Sequence, residues 1–307
     1  MTNYKENTPW MSLIILLGLT LVCSIIVQLL TLLGLSLGGA NLLDFSDPDN
    51  LLNPDNPVAL YTLLAASSLG TFLLPSILLN RYEKNIDYFP MQNQHSLTFL
   101  GLIFGFLVVC NPLMELISNL NMQMQLPESL QDIESWMRAK EDGMAQLTER
   151  LVMVDSITLL LANLVVMALI PALVEEFYFR GVLQNIAKRI FGNPHAAIWV
   201  TAIIFSAIHV QFYGFFPRMF LGVIFGYALY WSNNIWIPVF GHFLNNASVT
   251  VIAFIYHKNG KSFEDLQSSG LFSTPLYIIS IVLTVLVGYY FYKVSNQKKR
   301  LHESKVD

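Results

Sequence analysis

Two adjacent carboxylates, Glu175 and Glu176, are followed one helical turn later by Arg180, and then by two imidazoles, His209 and His242, and an amide, Asn246. All six stand in otherwise apolar sequence. Ionisable groups in hydrocarbon are costly and persist mainly where they face a cavity, pair with one another or do chemistry. Together these groups could activate a water. A carboxylate and a histidine take its proton, while an amide and the second histidine polarise a carbonyl and hold the developing oxyanion. No serine or cysteine partner set stands out as a nucleophile, so a bound water is the simpler attacking group.

Helical geometry divides the roles. Residues 176 and 180 share a face, so Glu176 can pair with Arg180. Glu175 points about 100° away. One carboxylate is then neutralised structurally and the other is free to act. The competing reading places all three charges at a membrane surface beside Lys188 and Arg189, where charge is cheap. His209 follows Phe205 by one turn, and taken alone it reads as a packed, hydrogen-bonded histidine. His242 and Asn246 share a face at i, i+4. The amide can fix the imidazole's tautomer or donate to an oxyanion.

Glu-Glu-x-x-x-Arg at 175–180, Phe-x-x-x-His at 205–209 and His-x-x-x-Asn at 242–246 occur in that order on successive helices. This arrangement resembles the CAAX prenyl protease and bacteriocin-processing family of intramembrane glutamic endopeptidases. The resemblance covers roughly residues 156–250, with no substitution at the defining positions. The three-part combination is specific, whereas each part alone is weak. The resemblance implies that Glu175 activates water and that His209 helps hold or activate it. It implies that His242 and Asn246 form the oxyanion site, with Glu176, Arg180 and Phe205 in support. The implied reaction is hydrolysis of a peptide bond in a membrane-associated or lipidated peptide. Relatives that act in bacteriocin self-immunity or as membrane scaffolds keep a non-proteolytic alternative open.

The elements that must position these groups are membrane helices. Of the 307 residues, 54% are hydrophobic and 12% charged, and the mean hydropathy is +0.52. A soluble domain carries about a quarter charged residues. The expected fold class is therefore all-α, a polytopic membrane helix bundle with a polar intramembrane cavity. A span needs about 20 apolar residues. Eight are expected, at 10–36, 58–79, 96–120, 156–177, 195–212, 217–232, 235–256 and 275–294. The first is too long and uniform for a cleaved signal peptide. The fifth and sixth are short, with Gly214 and Pro217 between them, and should form a hairpin. Asn111-Pro112 should kink the third. Residues 1–307 read as one integral membrane domain, with 156–256 as the catalytic core helices. Residues 121–155 form an extramembrane loop. There Leu130, Ile133, Met137, Met144, Leu147 and Leu151 recur at helical spacing, as either a cap on the bundle or a solvated connector.

Lysine and arginine in short loops set orientation. Arg81 and Lys84, then Arg180, Lys188 and Arg189, then Lys293, Lys298, Lys299, Arg300 and Lys305 fall on one side of such a topology. Asp44, Asp47, Asp49 and Asp55 fall on the other. Both termini are thus expected in the cytoplasm, in the plasma (inner) membrane, with Arg218, Lys258 and Lys261 in mild dissent. If the fourth helix continues past Arg180, the site lies in the cytoplasmic half with a cavity open to that side.

Cys23 and Cys110 lie in apolar runs, which argues against a disulfide framework or a zinc–thiolate site. No cofactor is expected. A metal-dependent version of the hydrolysis stays open, because Glu with two His is also a zinc-type ligand set, although no His-Glu-x-x-His helix is present. A transporter reading predicts internal repeats, and none is visible. The expected partners are a membrane-associated peptide or protein substrate and the lipid bilayer, with no nucleic acid. Nothing in the sequence specifies an oligomeric state.

Overall fold

The computed structural model describes residues 7–39, 57–92, 96–268 and 272–303. The aspartates of the 37–57 loop and the side chains of the basic tail beyond Asn296 lie outside the described residues. The rest is helical apart from turns and one isolated antiparallel bridge between Met91 and Asn234. The helices are α1 (Pro9–Leu37), α2 (Pro57–Tyr82), α3 (Ser96–Met122), α4 (Gln131–Val152), α5 (Ile157–Phe191), α6 (Pro194–Ala207), α7 (Phe215–Ser232), α8 (Trp236–Lys258), α9 (Phe263–Ser268) and α10 (Thr274–Glu303).

Six of them, α1, α2, α3, α5, α8 and α10, are long and apolar enough to cross a membrane. The α6–α7 hairpin occupies the place of the fifth and sixth expected spans. With 14 residues, α6 is about 21 Å long, short of a hydrocarbon core about 30 Å thick. This makes an integral membrane helix bundle in which a short hairpin is held among longer helices.

The fourth expected span differs most from its sequence boundaries. It runs on to Phe191 and totals 35 residues. It absorbs two π-helical stretches, Leu164–Leu169 and Glu176–Leu183, a feature that recurs at functional sites. Its stop is written in Gly192, which adopts φ +63° at the C-terminal cap, a conformation that glycine reaches without penalty. Asn193 then starts α6, its Oδ1 accepting from the His195 N–H at 2.8 Å, with Pro194 at the first helical position.

Two packing devices set the geometry around the site. Pro112 removes an N–H from α3. Ser280 of α10 inserts there, its Oγ donating to Val109 O at 2.6 Å and accepting from Leu113 N at 3.1 Å. On α7, Gly222 and Gly226 form a small-residue face. A Cβ on Gly222 would lie 3.0 Å from Ala202 Cβ, and one on Gly226 2.8 Å from Ile198 Cγ2. Their bareness lets α6 and α7 approach closely.

At one end of the bundle, Glu83 draws three helices together. It accepts from Ser12 Oγ at 2.7 Å and Asn7 Nδ2 at 2.8 Å, and from Tyr88 OH. Arg189 of α5 stands 3.8 Å from it and donates to Asn7 O at 2.7 Å. At the other end lies α4. The residues it turns toward the bundle, Glu134, Met137, Glu141, Ala145 and Thr148, are half-buried, while Ile133, Trp136 and Met144 are exposed.

Candidate active site

The lengths of α5 and α6 bring two of the polar groups to one depth. Glu175 lies 16 residues before the end of α5, about 24 Å at 1.5 Å per residue. His209 lies 15 residues after the start of the adjacent α6, about 22 Å. Counted from the start of its own helix, His242 looks shallower, at about 9 Å. However, α8 begins deeper, since Trp236 in its first turn packs edge-on against Phe177 with centroids 5.9 Å apart. That turn sits beside the residues following Glu175.

His242 stands between the two carboxylates. Its Nδ1 is 2.8 Å from Glu176 Oε1, and its Nε2 is 3.9 Å from Glu175 Oε2. A carboxylate acceptor at Nδ1 places the proton there and turns Nε2 toward Glu175. Phe225 stacks on the ring at 5.3 Å and 16°, which fixes its plane. Glu176 also pairs with Arg180 Nη1 at 2.9 Å, with both side chains essentially sealed from solvent. Glu175 is different: among the described residues it has no hydrogen-bond partner, and its side chain keeps 14% exposure.

Phe205 is the wedge between the motifs. The Arg180 guanidinium lies over its ring at 4.4 Å. His209 and His242 meet its edges at 5.1 and 6.2 Å. His209 Nδ1 donates to Phe205 O at 2.7 Å, leaving Nε2 without a proton and open to a ligand. Among the described residues His209 touches neither glutamate.

Asn246 is one turn from His242 but does not touch it. Its Nδ2 donates to Met167 O at 3.3 Å, and its Oδ1 accepts from Asn245 Nδ2 at 3.1 Å. Pro171, lacking an N–H, cannot serve the Met167 carbonyl one turn before it, and the amide takes that place. Of the expected site residues, Glu176, Arg180, Phe205 and His242 form one connected group, Glu175 approaches it at His242, and His209 joins through Phe205. Asn246 borders the group.

One charged group escaped the motif reading. Arg218, in the first turn of α7, lies close enough for its charge to act on Glu175 and His209. Its signal in the sequence is a lone arginine inside an apolar hairpin, the kind of intramembrane charge that points to a site. A cavity of about 720 Å³ opens at the opposite end, beside Lys188 and Asn185, and reaches Arg180. Glu175 is not part of its wall. Among the described residues, no three His, Cys, Asp or Glu are grouped so as to hold a metal ion.

Residues 157–248 match the family described as type II CAAX prenyl endopeptidase Rce1-like. The matched segment begins at the first residue of α5, ends within α8 and contains every motif residue described above. A Bacillus subtilis (strain 168) protein, described as uncharacterized protein YpbD, is 26% identical over 111 residues, 34% of this chain and 54% of that protein. The chain thus spans about half the length of that relative. No solved structure matches the chain.

Proposed function

We propose that this chain is an intramembrane endopeptidase of the glutamate-dependent kind, hydrolysing a peptide bond in a membrane-associated or lipidated peptide. The observation that carries the reading is the unequal treatment of two neighbouring carboxylates. Glu176 is held by Arg180 and His242, while Glu175 is left unbonded 3.9 Å from His242 Nε2. That gap is too long for a hydrogen bond, and a water can bridge it.

In this scheme Glu175 takes a proton from the bridging water as its oxygen attacks the scissile carbonyl. The tetrahedral oxyanion accepts a hydrogen bond from the Asn246 amide, which swings from Met167 O. It also accepts one from His242 Nε2–H, the ring entering and leaving the cycle with both nitrogens protonated and its Nδ1–H held by Glu176. Glu175 then gives its proton to the leaving nitrogen as the C–N bond breaks. His209, through its free Nε2, helps hold the water. No metal enters the scheme, and a metal-assisted version makes the opposite prediction under chelation. The expected setting is the plasma (inner) membrane with both termini in the cytoplasm, as the basic residues at one end of the bundle support.

The test is cleavage of a panel of lipidated and leader-type peptides by the purified protein, with Glu175→Ala and a chelator-treated sample alongside. Cleavage abolished in the variant and retained with chelator is the expected outcome. Cleavage lost on chelation would replace the glutamate scheme with the metal-assisted one.

A further inference from the structure

Arg218 is a half-buried charge that the hydrolytic scheme does not use. The register of α5 against α7 fixes where it stands. Gln184 Nε2 donates to Gly226 O at 3.2 Å, and Arg180 Nη2 to Gly222 O at 3.4 Å. The two helices run in step, so one turn further back residue 218 stands level with Glu176, beside Glu175.

Its hydrogen bonding is incomplete. Nη2 donates to Gln211 Oε1 at 2.8 Å, whereas Nη1 is buried with no hydrogen-bond partner. Gln211 in turn donates to Glu141 Oε1 on α4 at 3.5 Å, and Glu141 Oε2 is also buried without a partner. Among the described residues, Arg218 and Glu141 are joined by hydrogen bonds only through Gln211. Two opposite charges are thus bridged by one amide, and each keeps a buried atom without a hydrogen bond. A buried donor left unmade is costly. A carboxylate matches the guanidinium fork better than other common anions in a peptide.

We propose that Arg218 anchors a carboxylate of the bound peptide close to the scissile bond, and that Glu141 on α4 is the resident counter-charge with which this carboxylate competes. The proposal rests on the peptidase reading for its substrate. Its test is binding, which is independent of turnover.

The full-length protein carrying Glu175→Gln, in nanodiscs, would be titrated with three fluorescein-labelled, lipidated hexapeptides. One has a free C-terminus and no acidic side chain, one is its amide, and one is an amide with a single aspartate near its end. At least about tenfold tighter binding of a carboxylate-bearing peptide over the plain amide is expected, as a charged hydrogen bond supplies. Preference for the free acid assigns the terminal carboxylate, and preference for the aspartate peptide assigns a side chain. Adding Arg218→Gln should erase the preference. Adding Glu141→Gln should tighten carboxylate binding several-fold and leave the plain amide unchanged, a result that holds even if the Arg218 variant fails to fold. Equal binding of all three peptides overturns the proposal, as does a preference that survives Arg218→Gln or an unmoved affinity in Glu141→Gln. Binding preference without cleavage by the Glu175-containing protein leaves the anchor standing and counts against the peptidase reading alone.

Discussion

His242 Nδ1 lies 2.8 Å from Glu176 Oε1, so the imidazole is oriented by the carboxylate that is already neutralised by Arg180, and its other nitrogen faces the carboxylate that is not. Two residues adjacent in sequence are therefore held in opposite ways, one paired and one left without a hydrogen bond among the described residues. The 100° step between them on the helix puts one behind the histidine and one in front of it.

Glu175→Ala should lower peptide cleavage by about 10²–10⁴-fold, the range for loss of a positioned acid–base group. Since no hydrogen bond or close ion pair is lost, yield and thermal unfolding in detergent should stay near those of the unaltered protein. Parallel loss of folded protein and activity would contradict this division of duties.

Glu176→Gln should act on the fold. It leaves the Arg180 charge buried at 1% exposure, and breaking one side of a buried pair costs about 3–5 kcal/mol. Arg180→Met alone should cost a similar amount for the mirror reason. The double variant Glu176→Gln with Arg180→Met should recover much of the stability, because no buried charge remains. Thermal unfolding of the three variants side by side decides the point. Additive losses would mean that the two residues do not act as a pair.

The pairing of Glu176 with Arg180, and the separate direction of Glu175, were legible in the sequence because i, i+4 geometry is a property of any helix. The helix at α4 was legible for the same reason, but its inward face was not: Ile133 and Met144 of the expected apolar set are exposed, while Glu134 and Glu141 turn toward the bundle and accept from Leu126 N and Gln211. The apolar run of the fourth span ends near Phe177, and the continuation of the helix past Arg180 was legible because 177–190 holds no proline; its stop at Gly192 lies beyond what hydropathy marks. Other features depend on contacts that no local pattern encodes. The depth of His242 required knowing that Trp236 packs on Phe177. The contact of His242 with both glutamates needed the register of α8 against α5. The close approach of Gly222 and Gly226 to Ala202 and Ile198 on α6 likewise depends on contacts outside any local pattern.

Glu134 makes the docking of α4 sensitive to acid. The Leu126 N–H, donating at 2.9 Å, and then Arg138 hold its carboxyl below the usual range. A carboxylate depressed in the folded state stabilises above its unfolded pKa, about 4.3, and that contribution disappears as pH falls through the lower folded value. Burial pushes the Glu141 carboxyl the other way, so its protonation on acidification relieves a strain and partly offsets the loss. At neutral pH the segment 124–138 should resist proteolysis. Glu134→Gln should expose it there, and the unaltered protein should expose it only below about pH 4. Amide exchange of that segment, corrected for intrinsic rates, provides the measurement, and equal protection in variant and parent would remove Glu134 from the docking.

The glycines offer a prediction in which sign matters. At Gly181 on α5 a Cβ would lie 2.7 Å from Phe89 Cε1 and 3.0 Å from the Tyr88 carbonyl oxygen, which is backbone and cannot rotate away. Gly181→Ala should therefore force the 88–90 loop off the helix and cost about 1–3 kcal/mol. At Gly105 on α3 nothing lies within 4 Å. There the same substitution meets no neighbour and removes the conformational freedom that glycine loses on entering a helix, a gain of about 0.5–1 kcal/mol. Thermal unfolding of the two variants should thus move in opposite directions from the parent. The Gly181 shift should carry a loss of cleavage, because Phe89 also packs on Phe177 at 4.6 Å, and Phe177 supports the first turn of α8 beneath His242. A Gly181→Ala protein with unchanged melting and unchanged activity would show that the loop yields freely and has no part in positioning the histidine.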